Sequence, residues 1–516
     1  MLNLHKLFRS SQYASGIFSK KYTTISTNKK IDEAYSNREN FSDLIARRQS
    51  EALCSVILEV NTKDICGQVY NYCKQFGETK NAFVYTLKDG RNLMLLEYNQ
   101  LDAVKEIQQF SGFQVNTVKW PNRILTVRNS KLNPSLSHDA PLQFENAVQV
   151  PIANILRNAS TFDEQVYLLF KHTRHTDLSI RLKFITALQA QVVINQCLQS
   201  FFPNAKLYPF GSTVNGFGRL GCDLDMCLRF DRVGESTNKN SESLLEFRGN
   251  NIENDKRDKV KGYQVKCIAS LIESLLPGTD KISSASGARV PIVRYFDKNI
   301  HSSVDISIDN TDGLPMTEYI YTMGLMDPRI SPFIFLVRWW AREFQVTRKY
   351  RDNFTNFQLT YMCLSFLKQL KDPLIPTFDD LLQQLGIDES ESINNLNKSF
   401  IGFDCDRIDF KTENTSTVLE LFIQFLEYFE SFDFDTQTIT LRTTGIIPKP
   451  ETVSVFLENV LNPSSTNSFA EGVSRRERDA MQIVMRDTLE ELQQCNTKPT
   501  GTQQNWGLLE ILRQLK

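Results

Sequence analysis

Apolar and polar positions along the chain mark an early mixed stretch followed by a long, mostly helical remainder. The run SVILEV (55–60) predicts a strand, and Asp64 stands where a cap would open a helix running to about Gln75. Two apolar runs, NAFVYTL (81–87) and NLMLLEY (92–98), flank Lys88-Asp89-Gly90-Arg91 and predict a hairpin. Leu101 to Phe110 predicts a helix, and RILTV (123–127) a closing strand. Residues 31–50 read as a polar linker or short helix, and 129–160, with Pro134, Pro141 and Pro151, as a connector. From about Asp163 to Phe201 the spacing is helical, and 234–259 is a polar stretch expected to form a surface loop. Helices dominate after Ser331, with a return to strand near TQTITLRTT (436–444).

The order β-α-β-β-α-β between 50 and 130 is that of an RNA-recognition-motif domain. The rings such a domain stacks on bases are missing. Arg91 and Tyr98 fit the ends of the third-strand motif, but Leu93 and Leu95 hold its central aromatic positions. Val56 and Ile57 leave the first strand without a ring as well. An aliphatic sheet face predicts packing against protein, with a second copy of the same domain as one candidate partner.

Composition narrows the classes. The 516 residues exceed one ordinary domain, and 41% apolar with 23% charged residues is a globular balance. No apolar run approaches the length of a membrane helix. The net charge of −1 leaves any nucleic-acid contact to a local patch. Ten scattered cysteines without a C-x-x-C pair speak against zinc and against a disulfide framework. The first thirty residues carry Lys6, Arg9, Lys20, Lys21, Lys29 and Lys30, no acid, many Ser and Thr, and Leu2, Leu4, Leu7 and Phe8 at helical spacing. That is the pattern of a mitochondrial transit peptide; a disordered basic tail is the plainer alternative.

The candidate chemistry lies in KLYPFGSTVNGFGRLGCDLDMCLRF (206–230). A short strand leads to Gly211-Ser212, then a glycine-containing turn, then Asp223-Leu224-Asp225 in a second strand. Residues i and i+2 of a strand share a face, so Asp223 and Asp225 project together. Paired carboxylates repel, and divalent cations held with substrate phosphates relieve the repulsion. Gly211 lets the backbone approach a phosphate, and Ser212 supplies a donor. In SSVDISID (302–309) Val304, Ile306 and Ile308 alternate with polar residues, which makes Asp305 the candidate third carboxylate ahead of Asp309. In the apolar helix SPFIFLVRWWAREFQV (331–346), Arg338 and Arg342 share a face suited to a triphosphate or to surface ion pairs.

These motifs resemble the DNA polymerase β-like nucleotidyltransferases, and within them the poly(A) polymerases and terminal uridylyltransferases, most closely the mitochondrial poly(A) polymerase group. The resemblance rests on YPFGSTVNGFGRLGCDLDM (208–226), ARVPIVRYF with SSVDISI (288–308), VRWWAREFQV (337–346), NFTNFQLTYMCLSFLKQL (353–370) and NWGLLEIL (505–512). It implies an α+β fold with these parts: a transit peptide and linker at 1–40; an RNA-recognition-like domain at 50–130; a connector and helices joining the helical domain at 131–195; a nucleotidyltransferase palm with a mixed sheet at 196–312; and a helical poly(A)-polymerase-associated domain with the nucleotide-recognition loop at 313–516.

It also implies roles. Asp223, Asp225 and Asp305 would be catalytic and hold two Mg²⁺ or Mn²⁺ ions. Phe210, Gly211, Ser212, Arg338 and Arg342 would hold the nucleotide, Thr317 would contact ribose, and Asn356 and Phe357 would meet the incoming base. The family's recognition loop matches FLENVLNPSSTNSFAEGVS (456–474). Uridylyltransferases tend to place a histidine there, and this loop has none, which favours ATP over UTP. The expected function is template-independent addition of AMP to RNA 3′ ends in the mitochondrial matrix, by a homodimer joined through the first domain, with no membrane contact. The alternatives are a uridylyltransferase or non-selective nucleotide adder of the same fold, and, from another class, an RNA-binding scaffold with an inactive catalytic domain.

Overall fold

The computed structural model describes residues 39–113, 119–120, 122–128, 140–145, 152–157, 159–198, 205–230, 257–286, 290–308, 310, 312–347, 353–387, 400–450, 453–462, 467–494 and 506–511 except 509. The transit-like start, most of the polar 234–259 stretch and Asp309 lie outside these residues.

After helix α1 (Phe41–Leu53), strands β1 (Ser55–Val60), β2 (Thr79–Thr86), β3 (Asn92–Tyr98), β4 (Ile124–Thr126) and β5 (Gln143–Phe144) form one sheet in the order β4-β1-β3-β2-β5. Helices α2 (Cys66–Cys73) and α3 (Leu101–Phe110) complete the order read from the sequence. Asp64 does not cap α2. It sits in a 3-10 turn, Lys63–Ile65, that leads into the helix and takes up its first backbone bonds.

Alternate residues of this sheet face opposite ways. Val56, Leu58, Val84, Met94 and Leu96 pack under α2 and α3. Ile57, Phe83, Tyr85, Leu93 and Leu95 pack instead with Leu178, Leu182 and Ile185 of a later helix, α6 (Asp177–Leu198), and with Phe41 and Ile45 of α1. The aliphatic face does pack on protein, as its composition demands, but the protein is this same chain. Leu93 and Leu95 are 0% exposed, so that face is covered within the chain. Charge closes the seam: Arg181 of α6 reaches Glu97 of β3 at 2.8 Å and Glu51 of α1 at 3.3 Å.

The second sheet, β6 (Ala205–Phe210), β7 (Leu224–Phe230), β8 (Thr279–Ala285), β9 (Ile292–Asp297) and β10 (Ser302–Ile308), has the order β6-β7-β10-β9-β8. Only β7 and β10 run parallel; the other pairs are antiparallel. Leu224, Met226, Leu228, Val304, Ile306 and Ile308 face helices α6 and α7 (Arg257–Leu275) and bury there with Ala190, Val193, Ile194, Val265, Ile268 and Ile272. The intervening Asp225 and Asp305 therefore project from the opposite face. Helix α6 is apolar nearly all round because it is packed between the two sheets. Residues 131–195 were expected to hold a connector and helices joining the helical domain; Phe162, Val166 and Leu169 lie in the helical core, while α6 belongs to the core of both sheets.

The remaining helices share a third core. They are α4 (Ile152–Arg157), α5 (Phe162–Thr173), α8 (Gly313–Gly324), α9 (Ile330–Glu343), α10 (Asn356–Gln369), α11 (Phe378–Leu385), α12 (Val418–Glu430) and α13 (Arg475–Gln494). The strand expected at 436–444 is limited to β11 (Gln437–Thr438), paired with β12 (Ile447–Pro448). Among the described residues no helix is long and apolar enough to cross a membrane.

Candidate active site

At the end of β6 the chain turns sharply at Gly211, whose φ is +65°. A Cβ there would lie 3.2 Å from Asp225 Oδ2, so both the backbone and the neighbouring carboxylate favour glycine. The Gly211 N–H donates to Thr317 Oγ1 at 2.9 Å, and that hydroxyl donates to Gly313 O at 2.6 Å. Thr317 was expected to touch ribose, and its buried hydroxyl ties α8 to the Gly211 turn. Phe210 packs against Gly313, and Ser212 Oγ lies 3.1 Å from Cys222 Sγ.

The strands place the carboxylates in a row. Asp225 pairs in register with Phe210 of β6 on one side and Asp305 of β10 on the other. Asp305 in turn pairs with Arg294 of β9. Asp223 stands exposed just before β7, which begins at Leu224, one residue later than the sequence suggested. Burial, and then the carboxylates of Asp305 and Asp223, push the Asp225 acid up to about 7. Both oxygens of Asp305 are engaged by Arg294, Nε to Oδ1 at 2.7 Å and Nη2 to Oδ2 at 2.5 Å.

Among the described residues, no three His, Cys, Asp or Glu side chains are drawn together tightly enough to enclose an ion. The row nonetheless fits divalent cations. It consists of hard oxygen donors, its central carboxylate is held against its own ionisation, and a guanidinium serves as the positive partner of its third member.

Behind the row lies a cluster that the motifs did not reveal. Lys183 of α6 is 3% exposed, and its Nζ donates to Cys222 O at 2.8 Å and to Asp223 O at 3.1 Å. Lys183 Nζ also lies 3.3 Å from His175 Nε2. Burial, with the Lys183 charge second, drives His175 down to about 3, so the imidazole is neutral. It faces Cys222 Sγ through Nε2 at 3.1 Å and Ser179 Oγ through Nδ1 at 3.0 Å. The available sequence signal was a lone lysine between Leu182 and Phe184 in a helix with apolar residues on every side. Arg294 gave no signal, since its pairing depends on the register of β9 with β10.

Arg338 and Arg342 share one face of α9, as the i, i+4 spacing requires, and both line a cleft of about 530 Å³. Arg338 Nη1 donates to Phe217 O at 3.1 Å, and burial pulls its guanidinium down to about 10. Arg342 pairs with Glu343 at 2.6 Å. Asn356, exposed at the start of α10, lines the same cleft. Phe357 sits edge-on to Phe469 at 5.3 Å, which brings the 456–474 loop against the ring expected to stack on the base. Asn459 of that loop donates from Nδ2 to Asp312 Oδ2 at 3.0 Å. Residues 463–466 lie outside the described residues.

Comparison with known proteins now bears on this arrangement. Residues 162–324 match the family model "Poly(A) RNA polymerase, mitochondrial-like, central palm domain". The chain is 31% identical over 500 residues to the Drosophila melanogaster protein named mitochondrial poly(A) RNA polymerase, covering 92% of this chain and 80% of that one. Identity to the human protein of the same name is 27%, over 92% of this chain and 81% of the relative. A crystal structure of mtPAP with ATPγS superposes with a TM-score of 0.76 at 24% identity, over 92% of this chain and 99% of that one, so the fold is shared. With its carboxylate row on a mixed sheet and its arginine-bearing helix across the cleft, this chain belongs to the mitochondrial poly(A) RNA polymerase family.

Proposed function

We propose that this chain joins AMP from ATP to the 3′ end of mitochondrial RNA without a template, using the row built by Gly211, Asp225 and Asp305. Its family supports both the adenylyl transfer and the mitochondrial setting. The observation that carries the assignment of residues is the parallel pairing of β7 with β10, which sets Asp225 and Asp305 side by side next to the Gly211 turn. In the reaction, the RNA 3′ oxygen bonds to the α-phosphorus as the bond from that phosphorus to the β-phosphate oxygen breaks. Pyrophosphate leaves, and the hydroxyl proton passes to a carboxylate of the row.

Gly211 leaves room for phosphate beside Asp225, and Ser212 Oγ offers it a donor. Asp223, Asp225 and Asp305 would hold two Mg²⁺ or Mn²⁺ ions, which when bound supply positive charge to these carboxylates and to the reacting phosphate. Arg338 and Arg342 offer paired donors to the triphosphate, Asn356 adds a polar contact, and Phe357 offers its ring to the base. Thr317 contributes by holding the Gly211 amide in place.

The 456–474 loop, which contains no histidine, supports ATP over UTP. The mtPAP whose fold is shared has been crystallised with ATPγS, UTP, GTP and CTP, which moves selection from binding alone to how the base is seated for transfer. A homodimer through the first domain would need a surface other than the covered sheet face. The exposed rings of Tyr72, Phe110 and Phe113 offer one.

Primer extension tests the reading: full-length protein, a labelled RNA oligomer, Mg²⁺ or Mn²⁺, and each NTP separately, with Asp225→Asn as control. Long products with ATP alone that vanish in the variant are expected. Extension mainly with UTP would retain the chemistry and overturn the base choice. No extension by folded protein with any nucleotide would favour the scaffold alternative.

A further inference from the structure

The cleft that contains Arg338 and Arg342 has two more guanidinium groups, Arg174 and Arg219, with no task in the reading above. The chain brings them together deliberately. Residues 174 and 219 form an antiparallel bridge, flanked by bonds from His175 N to Gly218 O at 3.1 Å and from Leu220 N to Thr173 O at 3.0 Å. Gly218 makes this approach possible, since a Cβ there would lie 2.2 Å from Ser212 O and from the His175 ring. The bridge therefore fastens the Arg219 loop directly behind the Gly211-Ser212 turn.

Among the described residues four arginines line the cleft, and neither Asp nor Glu is among its lining residues. Like charges gathered on partly apolar walls repel one another, and an anion is the natural counterweight. The walls include Phe170, Phe335 and Trp339, which weaken solvent screening inside. Arg342 has Glu343 as a partner, whereas Arg219 Nε is buried with no hydrogen-bond partner among the described residues. A donor left without an acceptor costs free energy, which an anion held by the same guanidinium would offset. A walled cleft with several converging guanidinium forks suits a compact polyanion better than an extended strand.

We propose that Arg174 and Arg219 complete a four-arginine site for the β- and γ-phosphates of the incoming nucleotide and for the pyrophosphate formed from them. The proposal rests on the assignment of Arg338 and Arg342 to the triphosphate. Arg219, on the loop fastened to the Gly211-Ser212 turn, holds the phosphate end nearer the carboxylate row. Arg174, exposed, holds the solvent end and governs the release of pyrophosphate.

The test uses full-length Arg174→Gln, Arg219→Gln, the double variant and Arg338→Gln. Binding of Mg²⁺-pyrophosphate is measured by calorimetry, binding of an RNA oligomer by fluorescence anisotropy, and KM for ATP by primer extension; melting temperature checks the fold. Each new variant is expected to weaken pyrophosphate roughly tenfold and raise KM for ATP comparably, with RNA affinity unchanged. Arg219→Lys should recover part of the loss. Pyrophosphate affinity within twofold of wild type in both new variants, with a loss in Arg338→Gln, would overturn the proposal and leave the triphosphate assignment standing. No effect in Arg338→Gln either would remove that assignment too. A fall in RNA affinity with pyrophosphate unaffected would give the cleft to the RNA backbone and also overturn the proposal.

Discussion

Replacing Lys183 with methionine takes a buried ammonium from behind the catalytic turn while nearly preserving side-chain volume. Bonds from a charged donor are lost, the two shortest to Cys222 O at 2.8 Å and to Asp223 O at 3.1 Å, with longer contacts to His175 Nε2, Cys222 Sγ and Thr213 Oγ1. Bonds of this kind are worth about 1.5–3 kcal/mol each, but the ammonium also carries a desolvation penalty of similar size that methionine removes. The net loss of stability should therefore be only about 1–2 kcal/mol, read as a shift in a urea unfolding curve. The functional loss should be larger. The peptide between Cys222 and Asp223 would no longer be held, and a drift of about 1 Å in a reacting group costs on the order of 10²-fold. We expect kcat for ATP-dependent extension to fall about a hundredfold with KM for ATP within about threefold of wild type. Lys183→Arg keeps the cation and should recover at least about tenfold of that loss. If folded Lys183→Met kept kcat within threefold, or if KM rose instead of kcat falling, the positioning argument would be refuted.

Three other outcomes follow from the geometry. Arg294→Gln frees Asp305 from a half-exposed ion pair worth up to about 1 kcal/mol, so half-saturating Mg²⁺ for ATP binding should fall by up to about fivefold; an increase would show that Arg294 does not compete with the cation. Gly211→Ala adds a methyl 3.2 Å from Asp225 Oδ2 at a φ of +65°, and should cost about 1–2 kcal/mol in a denaturant melt and at least about a hundredfold in kcat/KM. Glu318, buried and accepting the N–H groups of Ile401, Gly402 and Phe403, is pushed up to about 7 by its burial. Between its ordinary value of 4.5 and about 7 the folded protein keeps a proton that the unfolded chain releases, so stability falls as pH rises through that window. Unfolding curves at pH 5 and pH 8 should differ by up to about 3 kcal/mol more in wild type than in Glu318→Gln, and equal differences would remove Glu318 as the cause.

The parts of this site that could be read from the sequence obey local rules. Strand alternation put Asp305 on the face opposite Val304, Ile306 and Ile308, and those three residues are buried as the period of two requires. Helical spacing put Arg338 and Arg342 together, and they line one cleft. What could not be read depends on register and docking between distant elements. Arg294 meets Asp305 only because β9 pairs antiparallel with β10 at one register. Arg219 meets Arg174 through a bridge between a loop and the end of a helix. Asp64 has the chemistry of a helix cap, yet a 3-10 turn displaces the helix start beyond it. The missing rings on β3 correctly announced a covered sheet face, but composition does not say which surface covers it.

That surface connects the first domain to catalysis. Helix α6 carries Arg181, bonded to Glu51 and Glu97 at the domain seam, and Lys183, bonded to the backbone of Cys222 and Asp223. A single residue, Leu182, separates these two duties on one rigid element. On one side Leu178, Leu182 and Ile185 are covered by the first sheet; further along, Ala190, Val193 and Ile194 support the strands that bear the carboxylates. Detaching the first sheet would expose Leu93, Leu95 and the facing leucines to water, at roughly 2 kcal/mol for each fully buried side chain, and would leave Glu97 and Arg181 short of a partner. Helix α6 would then lose the support that fixes Lys183 against the Asp223 peptide. An RNA-binding sheet can remain a separate module, whereas this one has its face covered by α1 and α6 and is part of the scaffold that holds the active site in register.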